Sequence, residues 1–194
     1  MEEGGIVKKI LFLFLIIIFL TGCSKDNDEN EYVFLEEAEY MPLIDEFYAD
    51  FINVYTDCSE AGELQGSYVL SFDNFEEMMN GEYSDFVYGR VVYESELGCY
   101  ARSLFVEVFE TGFSDERKII RLSVMNTDGF IGVGGIYVLN LGYLEDYDRY
   151  YLTQQSDSVF RVLSGKIGVP SLFTKELEDR RDINVFLDYV LDEK

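Results

Sequence analysis

The chain has 194 residues, of which 38 are acidic and 15 basic, so its formal net charge is −23 at pH 7. Such a charge repels the phosphates of nucleic acids, which excludes nucleic acid as a partner and favours cationic partners. Histidine is absent, which excludes a Ser-His-Asp triad, a Cys-His pair and any His-ligated zinc or haem site. We therefore predict no catalytic residue, no metal and no cofactor.

The amino-terminal residues have the pattern of an export signal. A pair of lysines precedes an apolar run over residues 10–20, which is short beside the roughly 20 residues of a membrane-spanning helix. The run ends in Leu20-Thr21-Gly22-Cys23, which resembles the lipobox of bacterial lipoproteins. In that family the cysteine is acylated, the chain is cut before it, and the new amino terminus is acylated too. The resemblance implies that residues 1–22 are a signal peptide and that Cys23 carries lipid.

Residues 23–34 are predicted to be an acidic flexible tether. Residues 24–31 contain four acids and no apolar residue, so they cannot bury enough surface to fold. Ser24 stands where an aspartate would follow the cysteine, which resembles outer-membrane sorting in Gram-negative bacteria. The short acidic tract resembles the surface-export signal of Bacteroidota lipoproteins. These resemblances imply an outer-membrane lipoprotein of the cell envelope, displayed at the surface; the inner leaflet is the alternative.

Two cysteines remain besides Cys23. Cys58 and Cys99 lie in a chain bound for a compartment where disulfides persist. We predict that they form a disulfide, which would close a loop of about 40 residues and contribute about 4 kcal/mol in the chain-entropy model. Two buried free thiols are the alternative.

The first predicted elements are one helix and a set of strands. Residues 36–56 are predicted to form an amphipathic helix because apolar residues recur at helical spacing: Ile44, Phe47, Tyr48, Phe51, Ile52 and Tyr55. Strands are predicted at residues 67–72, 86–94 and 101–110, the last two as an antiparallel pair.

The middle of the chain is ambiguous. Ser114 before two acids resembles a helix start, yet apolar residues alternate over 120–124 as in a strand. We predict a helix over 114–128 and another over the tyrosine-rich residues 143–155. The glycines of residues 130–135 lack GxGxxG spacing, so we interpret them as a bend, bulge or turn rather than a phosphate-binding loop.

The last predicted elements are a strand at residues 158–163, a loop at 165–170 and a final helix capped by Asp182. Together the patterns predict an α+β fold, in which the amino-terminal helix packs on a mostly antiparallel sheet and further helices lie toward the carboxyl terminus. A mainly β fold is the alternative. Residues 35–194 are predicted to form a single globular domain.

The order of elements over about residues 40–155 resembles the zinc-metallopeptidase lipoproteins of Bacteroidota. The resemblance is carried by Val69-Leu70-Ser71-Phe72-Asp73, Gly89-Arg90-Val91-Val92-Tyr93 and Asp115-Glu116-Arg117. A helix of that family carries HExxH, which holds zinc and activates water. The matching stretch here, Leu122-Ser123-Val124-Met125-Asn126-Thr127, has neither histidine nor glutamate. The resemblance therefore implies a relative without catalytic zinc.

These observations favour a non-catalytic binding or assembly module, anchored to a membrane through lipid at Cys23. The first alternative is an acidic inhibitor or immunity protein for a cationic enzyme or toxin, since the net charge would speed such an encounter. An enzyme with paired carboxylates, such as a glycoside hydrolase, needs no histidine. However, the 38 acids single out no pair, and the chain lacks tryptophan, the commonest platform for sugar stacking.

Overall fold

A computed structural model describes residues 32–49, 72–81, 84–97, 101–114, 117–125, 130–145 and 148–192. Residues Leu35–Lys194 form one compact unit, which contains every helix and strand described below.

Five strands of this unit close into a barrel. They are β1 (Ser84–Leu97), β2 (Ala101–Thr111), β3 (Ile119–Met125), β4 (Ile136–Leu144) and β5 (Arg149–Leu152). They pair in the order β1-β2-β3-β5-β4, and β4 pairs back with β1. The β3–β5 contact is parallel and the others are antiparallel. A five-stranded Greek-key barrel is the architecture of the OB fold, but architecture alone does not identify a function.

The predicted α+β fold is therefore wrong. The chain is mostly β, with a closed barrel, additional strands and only small helices. The helix predicted over residues 114–128 is replaced by β3, and the one predicted over 143–155 is replaced by the end of β4, a turn and β5. In β3 the alternation prevails because Ile120, Leu122 and Val124 all enter the barrel core. The helix that the metallopeptidase resemblance implies at this position is likewise absent.

Alternating side chains fill the barrel. From β2, Leu104 and Val106 point inward, while Phe105 and Glu107 lie on the outer face. Each of the other strands contributes in the same way, and the remaining buried members of this core include Val87, Val91, Leu139, Leu141, Tyr150 and Leu152. The β1–β2 pair confirms the hairpin predicted from residues 86–94 and 101–110.

The predicted amino-terminal helix is present as α1 (Glu37–Ala49), within the part of its range that is described. Ile44 is fully buried against Val92, Phe105 and Ile119 on the outer face of the barrel. The rings of Phe47 and Phe105 meet edge to face, 5.8 Å apart. The apolar stripe of α1 thus covers β1, β2 and β3 from outside.

A second, aromatic core lies on another outer face of the barrel. Strand β6 (Val159–Leu163) pairs with β4 beside β5, and β7 (Lys166–Gly168) pairs with β6. Two short helices, α2 (Phe75–Met79) and α3 (Ile183–Leu187), lie against this extension. The core consists of five fully buried rings, those of Phe75, Phe86, Phe160, Phe173 and Phe186.

The carboxyl-terminal predictions are largely confirmed. The strand predicted at residues 158–163 is β6, and Asp182 caps α3 by accepting hydrogen bonds from the Asn184 and Val185 amides. The predicted loop at 165–170 contains β7 instead. Backbone bonds from Ile167 to Arg181 and from Ile183 to Gly165 cover the free edge of β7. The strand predicted at 67–72 lies almost entirely outside the described residues.

Candidate functional site

One end of the barrel carries a group of aromatic and charged side chains, which we call the rim cluster. Its members are Phe113, Arg117, Tyr143, Asp148 and Tyr150. They come from the segment between β2 and β3, from the end of β4, and from the turn into β5. The barrel brings these separate segments together because all three meet at the same rim.

The turn between β4 and β5 fixes the acidic member of the rim cluster. The Asp148 amide donates to the Glu145 carbonyl at 3.2 Å, and Asp148 has a φ of 43°. Aspartate tolerates this left-handed conformation better than most residues. The turn therefore places the carboxylate beside the end of β4.

Three polar groups converge at this point. Asp148 Oδ1 is 2.6 Å from Arg117 Nη1 and accepts a 2.7 Å hydrogen bond from the Tyr143 hydroxyl. The Arg117 Nη2 group donates to the same hydroxyl at 3.5 Å. One carboxylate oxygen thus orients both a phenol and a guanidinium group.

The aromatic rings of Phe113, Tyr143 and Tyr150 pack against one another beside these polar groups. The rings of Tyr143 and Tyr150, which face each other across β4 and β5, are 4.9 Å apart, and the ring of Phe113 is 5.2 Å from that of Tyr150. The Arg117 guanidinium lies 5.8 Å from the Tyr143 ring centre. Tyr150 is 3% exposed and Tyr143 is 37% exposed, so the outer ring is available at the surface.

The contacts within the rim cluster change its ionisation. The hydrogen bond to Asp148 and partial burial raise the pKa of Tyr143 above its ordinary value. Desolvation alone would raise the pKa of Asp148, but the hydrogen bonds from Tyr143 and Arg117 and the charges of Arg117 and Arg121 together lower it. Around neutral pH the rim cluster therefore holds an ionised carboxylate and a neutral phenol.

This arrangement is suited to recognition. Tyrosine and arginine are enriched at binding hot spots because they offer large contact surfaces and directed hydrogen bonds. Here the carboxylate already holds both side chains, so binding would cost little side-chain entropy. Within the described ranges, no three cysteine, aspartate or glutamate side chains converge as metal ligands.

A second polar arrangement holds the beginning of the compact unit, and we call it the tether clamp. It comprises Arg90, Glu107 and the backbone of Leu35. The Leu35 amide donates to Glu107 Oε1 at 2.6 Å, and Arg90 Nη2 donates to the Leu35 carbonyl at 3.0 Å. Arg90 also pairs with Glu107 Oε2 at 2.8 Å, and Glu107 is only 3% exposed. The clamp fixes the point at which the folded unit begins.

The site residues predicted from the sequence lie outside the described residues. This holds for Cys23 and for both members of the predicted disulfide, Cys58 and Cys99. The rim cluster, in contrast, was not predicted. Its only sequence signal was the tyrosine-rich stretch over 143–155, which we interpreted as a helix.

Comparison with known proteins gives a match at the amino terminus of the chain, over the predicted signal peptide. Residues 8–24 match the family model described as "prokaryotic membrane lipoprotein lipid attachment site". The chain is a bacterial lipoprotein. This confirms that the protein is anchored to a membrane of the cell envelope through lipid on the cysteine, Cys23.

No curated protein and no solved structure matches the lipoprotein in the corresponding searches. Among the residues described, no helix combines the length and the apolar character needed to cross a membrane.

Proposed function

We propose that this lipoprotein is a non-catalytic binding module of the outer membrane and that the rim cluster is its binding surface. The observation that carries the proposal is the exposed Tyr143 ring beside the Arg117 guanidinium, both held in place by Asp148. Ser24 after the lipidated cysteine and the acidic tract over 24–31 support the outer membrane and surface display.

The proposal includes no catalytic step. In the described part of the chain, Glu107 is the one buried acidic residue, and it is engaged by Arg90 and Leu35. A carboxylate-based hydrolase would need a second carboxylate facing it. A zinc-less metallopeptidase relative is also disfavoured, because the stretch aligned with the zinc-binding helix forms β3.

Photo-crosslinking in living cells tests the binding surface. A crosslinking side chain at position Glu145, which is exposed beside the rim cluster, should give a defined product with a partner. The same side chain at Leu172, an exposed position elsewhere on the fold, provides the positional control.

Two further variants make the test specific. Tyr143→Ala should abolish the Glu145 product because it removes the exposed ring. Arg180→Ala should leave the product unchanged, although Arg180 also lies over a tyrosine ring, that of Tyr189 at 4.1 Å. An undiminished product in Tyr143→Ala, or the same product from Leu172, would refute the rim cluster as the binding surface.

A second candidate function is inhibition of a cationic enzyme or toxin. It is supported by the net charge of −23 and by α1, which exposes Glu37, Glu39, Asp45 and Glu46 and contains no basic residue. Charge complementarity of this kind mainly accelerates association. If it applies, Asp45→Asn with Glu46→Gln should slow partner association at low salt, whereas Tyr143→Ala should not.

A further inference from the structure

The loop that precedes β4 exposes large apolar side chains on an otherwise acidic molecule. Phe130 is 40% exposed and Val133 is 57% exposed. No charged residue occurs between positions 130 and 144, although 27% of the chain is charged. We call residues 130–135 the glycine loop, since it contains Gly132, Gly134 and Gly135.

Hydrogen bonds hold the glycine loop in one shape. The Gly135 amide donates to the Gly132 carbonyl at 3.1 Å, and Gly134 has a φ of 82°, so these residues form a tight turn with Val133 at its corner. The Tyr137 hydroxyl accepts from the Gly132 amide, and Arg102 Nη2 donates to the Ile131 carbonyl at 2.8 Å. Bonds on both sides of Val133 therefore hold the turn in place.

The glycine loop lies close to the tether clamp. Arg90 of β1 binds the Leu35 carbonyl, and the next residue, Val91, exchanges backbone hydrogen bonds with Gly134 and Gly135 at 2.8 and 3.0 Å. The first residue of the folded unit, Leu35, is therefore held beside the strand position that carries the loop.

The tether is also short. The 11 residues from 24 to 34 span at most about 40 Å when fully extended. Leu35, where the folded unit begins, is therefore always within about 40 Å of the lipid on Cys23. A contact made by a tethered group acts at high effective concentration, so even a weak interaction would be populated.

From this placement we infer that the glycine loop rests on the surface of the anchoring membrane and inserts Phe130 and Val133 among the lipid headgroups. Aromatic side chains favour that interfacial layer. The headgroups must be uncharged overall, because exposed acids such as Glu36 and Glu39 lie beside the tether clamp and anionic lipid would repel them.

Tryptophan fluorescence offers a clean test because the chain has no tryptophan. The full lipidated protein is reconstituted through its Cys23 lipid into phosphatidylcholine vesicles, once with Val133→Trp and once with Glu145→Trp. Glu145 is the control, since it is exposed and follows the end of β4 opposite to the glycine loop.

The inference predicts that the Val133→Trp emission shifts to shorter wavelength in vesicles and is quenched by brominated lipid, while the Glu145→Trp emission does neither. Adding phosphatidylserine should reverse both effects at position 133. If Val133→Trp has the same emission wavelength in vesicles as in detergent solution without vesicles, the inference is wrong. Equal quenching at both positions would overturn it too, since the tether alone would then account for the contact.

Discussion

At the scale of single residues, Glu107 combines deep burial with a full set of partners. Its two carboxylate oxygens bind the Leu35 amide and the Arg90 guanidinium. A carboxylate in this setting is tolerated only because every charge and donor around it is matched. The attraction between Glu107 and Arg90 therefore contributes less to stability than the free-energy cost of removing either member of the pair.

Glu107→Gln should destabilise the protein by about 3 kcal/mol, because it breaks a buried ion pair and weakens the hydrogen bond that holds Leu35. Urea unfolding followed by circular dichroism measures this change. Asp148→Asn is the control, since both members of the Arg117–Asp148 pair are far more exposed and its loss should cost less than about 1 kcal/mol. Equal losses in the two variants would contradict the importance of burial.

Asp148→Asn should reveal the lowered pKa of Asp148. Folding favours the ionised form, so this form contributes stability above the ordinary carboxyl pKa and loses that contribution as the pH falls through the lowered value. The urea midpoints of wild type and Asp148→Asn should therefore differ most near neutrality and converge on acidification. In an Arg117→Ala background the difference between the two proteins should shrink, because a group that lowers the pKa of Asp148 is absent.

At the scale of elements, β1 requires a glycine at position 89, because this part of the strand pairs with both β2 and β4. The register against β2 shifts between Tyr88 and Gly89, and a Cβ at Gly89 would overlap the Glu107 carbonyl oxygen and crowd Val106. The shift bends β1 so that its first half pairs with β4 as well as β2. A side chain at this point would force the two strands apart.

Gly89→Ala is expected to cost about 3 kcal/mol, because the obstructing atom belongs to the backbone and cannot rotate away. Thermal unfolding measured by calorimetry would report the loss. Gly132→Ala is the matched control, since a Cβ there meets no atom within 4 Å. A Gly89→Ala protein as stable as Gly132→Ala would contradict the described register.

Elements with a local signal were predictable, and those specified by distant contacts were not. The β1–β2 hairpin was readable from alternation, and α3 was readable from Asp182 and the apolar spacing after it. For β3, a local helix-start signal at Ser114 competed with the alternation, and only burial in the barrel decides between them. The rim cluster could not be predicted because barrel closure joins Arg117 to Asp148, 31 positions apart.

At the scale of the whole molecule, the lipid on Cys23 determines the membrane at which the folded unit acts. The leader matches a lipid attachment site, while the folded unit begins at Leu35. More than one acyl chain is needed for stable anchoring, and the acylation of both the thiol and the amino group that the lipobox resemblance implies would supply it.

Metabolic labelling with an alkyne-tagged fatty acid tests this directly. The wild-type protein should incorporate the label, and Cys23→Ala should lose it completely because the cysteine of the lipid attachment site is gone. Cys58→Ser should label normally, and its mobility on non-reducing gels would also report on the predicted Cys58–Cys99 disulfide. Label retained by Cys23→Ala would place the lipid elsewhere.

The parallel contact between β3 and β5 constrains how the exported chain can fold. Leu122 and Ser123 have no parallel partner until Tyr150 and Tyr151 have crossed the membrane, and Phe86 is not covered until Phe186 has followed. Such long-range closure is slow, because loop entropy is lost before the contacts form. The chain as far as Phe186 must therefore be translocated before the folded unit reaches its native state, and the earlier strands lack their final partners until then.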